Sequence, residues 1–173
     1  TISNPNREVY WSALESAKVN QQCVLTGSRQ ENDKLLEDAL MKSVKQSMIS
    51  DVPIGCFLSG GIDSSLISAF MQAQSTQRVK TFSIGFEESE YDESGKASLV
   101  AARLGTEHYM MTVTARDAID AIPLMPIVYD EPFADASQIP TNLLSKMTRA
   151  KVTVALSGDG GDELFGGYSR YVW

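Results

Sequence analysis

Leu58-Ser59-Gly60-Gly61-Ile62-Asp63-Ser64 ends one apolar pattern and begins another. Before it stands the continuous apolar run Ile54-Gly55-Cys56-Phe57-Leu58; after it Leu66, Ile67, Ala69, Phe70 and Met71 recur at helical spacing. A short apolar run bounded by a glycine pair reads as a buried strand, and the helical recurrence as an amphipathic helix. Strand, tight turn and helix N-terminus in that order build an anion site. The glycines let backbone approach a phosphate, and the first helical N–H groups and the helix dipole point at it. Ser59, Ser64 and Ser65 add hydroxyl donors, and Asp63 adds a hard carboxylate suited to Mg²⁺. The expected ligand is the phosphate chain of a nucleotide.

Two related loops are excluded by spacing. A P-loop requires a Gly-Lys-Ser/Thr ending, and no Lys follows Gly61. A dinucleotide fingerprint requires three spaced glycines, and only Gly60 and Gly61 are present. Ser-Gly-Gly-x-Asp-Ser instead resembles the loop of ATP pyrophosphatases, which grip the pyrophosphate half of ATP and cleave between the α and β phosphates.

Outward from this turn the chain alternates. Residues 31–50 place Leu35, Leu36, Ala39, Leu40, Val44 and Met48 on one helical face, with Asn32 or Asp33 as the expected cap. Strands are expected at 54–58, 79–86, 108–113 and 151–156. Helices are expected at 63–74, 93–104 (stopped by Gly105), 115–122 and 139–149. Strands separated by helices imply βαβ units: an α/β fold with a parallel sheet and helices on both faces, a Rossmann-like three-layer sandwich.

A second run follows the last expected strand: Ser157-Gly158-Asp159-Gly160-Gly161-Asp162-Glu163-Leu164-Phe165-Gly166-Gly167-Tyr168. Ligands of open parallel sheets sit beyond the carboxyl ends of strands, so Ser59 and Ser157 are expected on one edge. Asp159, Asp162 and Glu163 crowd like charge, which a cation or a hydrogen-bond network must offset. Mg²⁺ held by Asp63, Asp162 and phosphate oxygens meets that need. A solvated acidic turn at a helix start is the simpler alternative for this run taken alone.

Together the two runs are similar to the synthetase domain of glutamine-hydrolysing asparagine synthetases. Asp51-Val52-Pro53-Ile54-Gly55, Thr81-Phe82-Ser83-Ile84-Gly85-Phe86 and Asp130-Glu131-Pro132-Phe133-Ala134-Asp135 also match that family, and the likeness runs from about residue 10 to the end. The resemblance implies an adenine nucleotide α-hydrolase-like fold. It also implies a ligase that activates the aspartate side chain with ATP as β-aspartyl-AMP and then admits ammonia derived from glutamine. Carried over by position, Ser59, Gly60, Gly61, Asp63 and Ser64 hold pyrophosphate and its Mg²⁺. Leu58, Ile84, Ser157 and Gly158 meet the adenine, partly through backbone. Asp162 is the second metal-side carboxylate, and Asp159 lies near the transferred carboxyl group. Many members carry Glu at that position, and Asp159 is one methylene shorter. Glu131 and Asp135 border the substrate pocket in the family.

The chain starts at Thr1 and stops at Trp173, which reads as a piece of a longer protein. Residues 1–31 read as a polar, irregular linker or arm after an absent N-terminal glutaminase domain, with Val9, Tyr10 and Trp11 expected to pack on the synthetase portion at 32–173. Neither Cys23 nor Cys56 stands at a terminus or beside a histidine to replace that domain's nucleophile. The family's phosphate-stabilising basic residue lies beyond Trp173, and Lys146, Arg149 and Arg170 suit surface or helix-end roles. The piece alone is therefore expected to bind ATP weakly and turn over poorly.

Composition bounds the alternatives. The length of 173 residues suits about one domain, with 43% apolar and 21% charged residues. No run approaches the roughly 18 apolar residues of a membrane helix, and no signal-peptide pattern opens the chain. Two distant cysteines without metal spacing suit reduced thiols, hence the cytoplasm. A net charge of −7 argues against a nucleic-acid partner and requires local neutralisation of any polyphosphate. The partners expected are ATP, aspartate and ammonia, with homodimerisation left open. The competing functions are an amidotransferase for another carboxylic acid and a non-catalytic nucleotide-binding module. His108 reads as structural, and the acidic run Glu87, Glu88, Glu90, Asp92 and Glu93 as a solvated loop.

Overall fold

Apolar runs that are continuous rather than alternating belong to strands covered on both faces. The computed structural model, which describes residues 8–87, 92–132 and 134–172, places four strands in one parallel sheet, and residues 54–57 carry such a run. They are β1 (Ile54–Phe57), β2 (Lys80–Phe86), β3 (Glu107–Val113) and β4 (Val154–Leu156), in the spatial order β3-β2-β1-β4. Register is set by Cys56 opposite Thr81 and Leu156, and by Thr81 opposite His108. The helices are α1 (Ala13–Asn20), α2 (Arg29–Ser47), α3 (Ile62–Gln74), α4 (Ser94–Leu104), α5 (Ala115–Ala121), α6 (Met125–Val128), α7 (Gln138–Arg149) and α8 (Gly161–Phe165).

Side-chain alternation divides the sheet into two faces. Cys56, Met71 and Val44 share a core on one face with Phe70 and Val79, lined by Leu40, Met41, Met48, Ile67 and Leu156. Leu58 packs beside it against Ala97, Val100 and Ala101 of α4. The opposite face carries Phe82, fully buried and stacked on Tyr109 with ring centres 5.3 Å apart. Tyr109 and Met111 line a cleft with Leu143, Met147 and Ala150, at or just past α7. Helices thus cover both faces, as the alternation of apolar runs predicts.

Residues Thr1–Ala39 and Leu40–Trp173 form two separate compact units, a division that falls inside α2. Residues 13–20 are helical rather than irregular. Ser12 caps α1 by accepting from the Glu15 N–H at 3.4 Å, and Lys18 pairs with Glu15 one turn on. The expected cap of α2 at Asn32 or Asp33 is replaced by Ser28. Its N–H and hydroxyl both donate to Glu31, at 2.7 and 2.8 Å, and its oxygen accepts from the Glu31 N–H at 3.3 Å. That reciprocal box satisfies donors at the helix start, so the helix begins before its first leucine. Val9, Tyr10 and Trp11 are exposed, Tyr10 fully.

Lys151 and Val152, expected in the last strand, belong to the turn ending α7, because both N–H groups donate to the Thr148 carbonyl at 2.9 Å. The Asn4-Pro5-Asn6 stretch, Glu88, Glu90, Phe133 and the Arg170 side chain lie outside what is described. No helix among the described residues is long and apolar enough to cross a membrane.

Candidate nucleotide site

The sheet order rises from β1 through β2 to β3 on one side and returns to place β4 on the other side of β1. Between β1 and β4 the direction of winding reverses, and the loops leaving their carboxyl ends diverge to leave a crevice. Residues 58–61 leave β1 there, and residues 157–160 leave β4. Two stretches nearly a hundred positions apart in sequence are thereby brought to one edge.

The first loop is closed by its own hydroxyls. The Gly61 N–H donates to Ser59 Oγ at 3.2 Å, the two hydroxyls of Ser59 and Ser64 lie 2.9 Å apart, and Ser64 Oγ donates to the Gly61 carbonyl at 3.4 Å. The Ser59 N–H adds a bond to Ser64 Oγ at 3.1 Å. Upstream, Leu58 is 1% exposed and its N–H donates to the Phe82 carbonyl at 2.8 Å, anchoring the loop to β2. Its side chain packs in the core, so only its main chain borders the site. Gly61 supplies no side-chain cap to α3, which leaves first-turn N–H groups for a ligand or water. The Ser65 hydroxyl is buried without a partner among the described residues.

Gly60 has φ 82°, and a side chain there would begin 2.7 Å from the Ala97 nitrogen and from Lys96 Cβ. The turn is pressed onto the first turn of α4, where only glycine fits. The second loop makes the same demand on the first. A Cβ on Gly158 would lie 2.8 Å from the Ser64 nitrogen and 3.0 Å from Asp63 Cβ, and Gly161 lies directly against the Asp63 carboxylate. Asp63 is thus the point where the two loops meet.

The remaining sequence-derived residues fall into three groups. Ser157 donates from its hydroxyl to Asp159 at 2.9 Å, which folds the exposed Asp159 back on its own loop. Asp162 opens α8 one residue after the glycine that touches Asp63, and its carboxylate lies over Gly167. Glu163 accepts a 2.7 Å bond from the Tyr168 hydroxyl. Ile84 sits near the end of β2 at the same edge of the sheet, half-buried. Glu131 and Asp135 are exposed residues in the segment before α7. The Ser137 side chain and N–H hold the Asp135 carboxyl below its ordinary range, the N–H bond being 2.8 Å.

Two residues have roles that their sequence context hid. Asp92 belongs to an acidic run read as solvated, yet it ties α4 to β2. It accepts from the Ser94 hydroxyl and N–H, both at 3.0 Å, and from the Phe86 N–H at 3.4 Å. The Ser94 bonds lower its pKa. Lys96 carries no motif, but folding sets its stem against Gly60. His108, expected to be structural, has both ring nitrogens held by hydroxyls, Thr81 at 3.0 Å and Ser83 at 3.1 Å. Its partial burial lowers its pKa, favouring the neutral ring.

Among the described residues no cluster of three or more His, Cys, Asp or Glu side chains could hold a metal unaided. Mg²⁺ commonly takes one or two protein carboxylates and fills its remaining positions with phosphate oxygens and water, and Asp63 and Asp162 are carboxylates in the first turns of α3 and α8. The first-turn N–H groups of α3, uncapped by a side chain, are donors suited to an anion.

The asparagine synthase family model matches residues 35–173. A Methanocaldococcus jannaschii protein named provisionally as glutamine-hydrolysing asparagine synthetase 2 is 46% identical over 144 residues, covering 83% of this chain and 27% of its own length. Glutamine-hydrolysing asparagine synthetase 1 of Bacillus subtilis is 43% identical over 144 residues, covering 82% and 23%. The chain thus spans about a quarter of the length of these relatives. Among solved structures, an NH3-dependent NAD synthetase from Campylobacter jejuni in complex with the nitrate ion aligns with a TM-score of 0.49 and 18% identity, covering 83% of this chain and 62% of that one.

Proposed function

For a chain that belongs to the asparagine synthase family, we propose the role of ATP-dependent activation in an amide ligase. The observation that carries this reading is the seating of Gly158 and Gly161 on Asp63 at the β1/β4 reversal. That contact makes one crevice of two loops that come from distant parts of the chain.

The reaction proposed is activation of the aspartate side chain. A carboxylate oxygen attacks the α-phosphorus of ATP, the bond to the β-phosphate oxygen breaks, and pyrophosphate leaves with its electron pair. Ammonia then attacks the acyl carbon of β-aspartyl-AMP, loses a proton, and expels AMP to give asparagine. In this reading the amides of residues 60–64 and the Ser59 and Ser64 hydroxyls grip the leaving pyrophosphate, an interaction that strengthens as charge develops on it. The loop leaves the α position open to in-line attack. Asp63 and Asp162 would hold Mg²⁺, which when bound supplies charge neutralisation across the phosphates. Main-chain groups at Leu58, Ile84, Ser157 and Gly158 border the nucleoside, and Asp159 orients the acceptor carboxyl. Glu131 and Asp135 take an outer place beside the substrate. Residues 32–173 form part of the synthetase domain, and the ammonia derives from glutamine at a separate domain of the longer protein.

The test is pyrophosphate release by the full-length protein with Mg-ATP, ammonia and aspartate, beside Asp63→Ala. Aspartate-dependent release with asparagine formed, lost in the variant, is the expected result. Release with a different acid only would reassign the substrate. ATP binding without release for any acid would make the chain a nucleotide-binding module.

A further inference from the structure

The polyphosphate reading leaves a charge problem. The chain carries a net −7, and both carboxylates assigned to the site add negative charge to that of the ligand. Backbone amides and one divalent ion offset part of it, and a fixed cation beside the loop would offset more.

Lys96 stands in that place. It lies in the first turn of α4, and its Cβ and main-chain carbon are 2.7 and 2.9 Å from where a Gly60 side chain would start. The Lys96 stem therefore begins in contact with the turn that cradles the phosphates. Its ammonium is paired with Glu93 at 3.3 Å, and both side chains are largely exposed. An exposed pair one helical turn apart contributes little stability, so exchanging its carboxylate for a phosphate oxygen costs little. A four-carbon stem with free rotation lets the ammonium swing from Glu93 toward the loop. The first turns of α3 and α4 converge on Gly60, which adds two positive dipole ends on the same side.

We propose that Lys96 is a phosphate-binding residue of this site: its ammonium leaves Glu93 for a terminal phosphate oxygen of a polyphosphate seated on residues 60–64. The assignment rests on the reading of that loop as a polyphosphate cradle. Glu93 acts as a holding partner that keeps Lys96 near the turn when no ligand is present and competes with the ligand for it.

Calorimetric binding of inorganic pyrophosphate and of Mg-ATP to the full-length protein tests this. Lys96→Gln is expected to weaken both by about three- to tenfold, the loss of one charge-assisted contact. Lys96→Arg is expected to restore most of the affinity, and Glu93→Gln to tighten binding by up to about threefold. Equal weakening by the Gln and Arg variants would show a packing role and overturn the assignment. Unchanged affinity in Lys96→Gln, with Gly60→Ala abolishing binding, would overturn Lys96 while leaving the loop reading intact. A full-length wild-type protein that binds neither probe would overturn the loop reading and the Lys96 role with it.

Discussion

Residues 58–64 and 157–162 leave neighbouring parallel strands at one end of the sheet, yet they are held by different means. The first loop is tied inward: Leu58 is buried, its N–H is bonded to β2, and the hydroxyls of Ser59 and Ser64 close a ring with Gly61. The second is exposed at Asp159, bonds mainly to itself through Ser157, and gains its position by resting glycines on Asp63. One loop is an anchored cradle, and the other is a flap located by close contact. Under the proposed reaction, the anchored loop is the one assigned to the leaving pyrophosphate and the contact-located loop the one assigned to the substrate side.

The sharpest way to break this comparison is at their meeting point. Asp63→Ala removes the carboxylate both loops share, and pyrophosphate release should fall by at least about a hundredfold. Circular dichroism of the variant should stay native, because the carboxylate is not part of the core. Gly158→Ala comes next. Its new methyl would start 2.8 Å from the Ser64 nitrogen, so the flap must lift, at a cost of about 1–3 kcal/mol. Thermal melting should register that cost, and turnover should drop more than ATP affinity does.

A paired substitution then measures anchorage. Ser59→Ala opens the hydroxyl ring and should destabilise the fold by about 1 kcal/mol, whereas Ser157→Ala should stay within about 0.5 kcal/mol because its bond is exposed. Equal losses in urea melts would dissolve the distinction between cradle and flap.

The smallest effect comes from a control away from both loops. His108 has a folded pKa below its ordinary value, so protonation is easier in the unfolded chain. Its contribution is present at neutral pH and is lost as pH falls below the ordinary value of 6.5 toward the lowered one. His108→Gln should flatten this slope in melts between pH 7 and 5 without altering nucleotide affinity at pH 7.5.

Much of the fold was legible because its signals are local. The continuous apolar run at β1 and the run 79–86, with a helical stretch between them, marked parallel strands, and the helical recurrence after Gly61 marked α3 within one residue. The misses arose where hydrogen bonds overrode apolar patterning. Ser28 with Glu31 started α2 ahead of its leucines, Ser12 nucleated α1 in a polar stretch, and the Thr148 carbonyl drew Lys151 and Val152 out of the last strand. In the site, both glycine-rich runs were readable as loops, and Asp63 as the carboxylate of the first. Lys96 and Asp92 were not readable as neighbours of the site, since neither stands in a motif.

The order of chemical groups along each loop was therefore settled by sequence alone: glycines at the close approaches, with the hydroxyls of Ser59 and Ser64 and the carboxylates of Asp63, Asp159 and Asp162 between them. Which groups meet was settled only by tertiary structure. The return of the chain to the far side of β1 sets Gly158 and Gly161 on Asp63, and the packing of α4 sets Lys96 beside Gly60. Those contacts come from strand order and helix packing over long separations, and no local pattern encodes a distance between residues that only the sheet brings together.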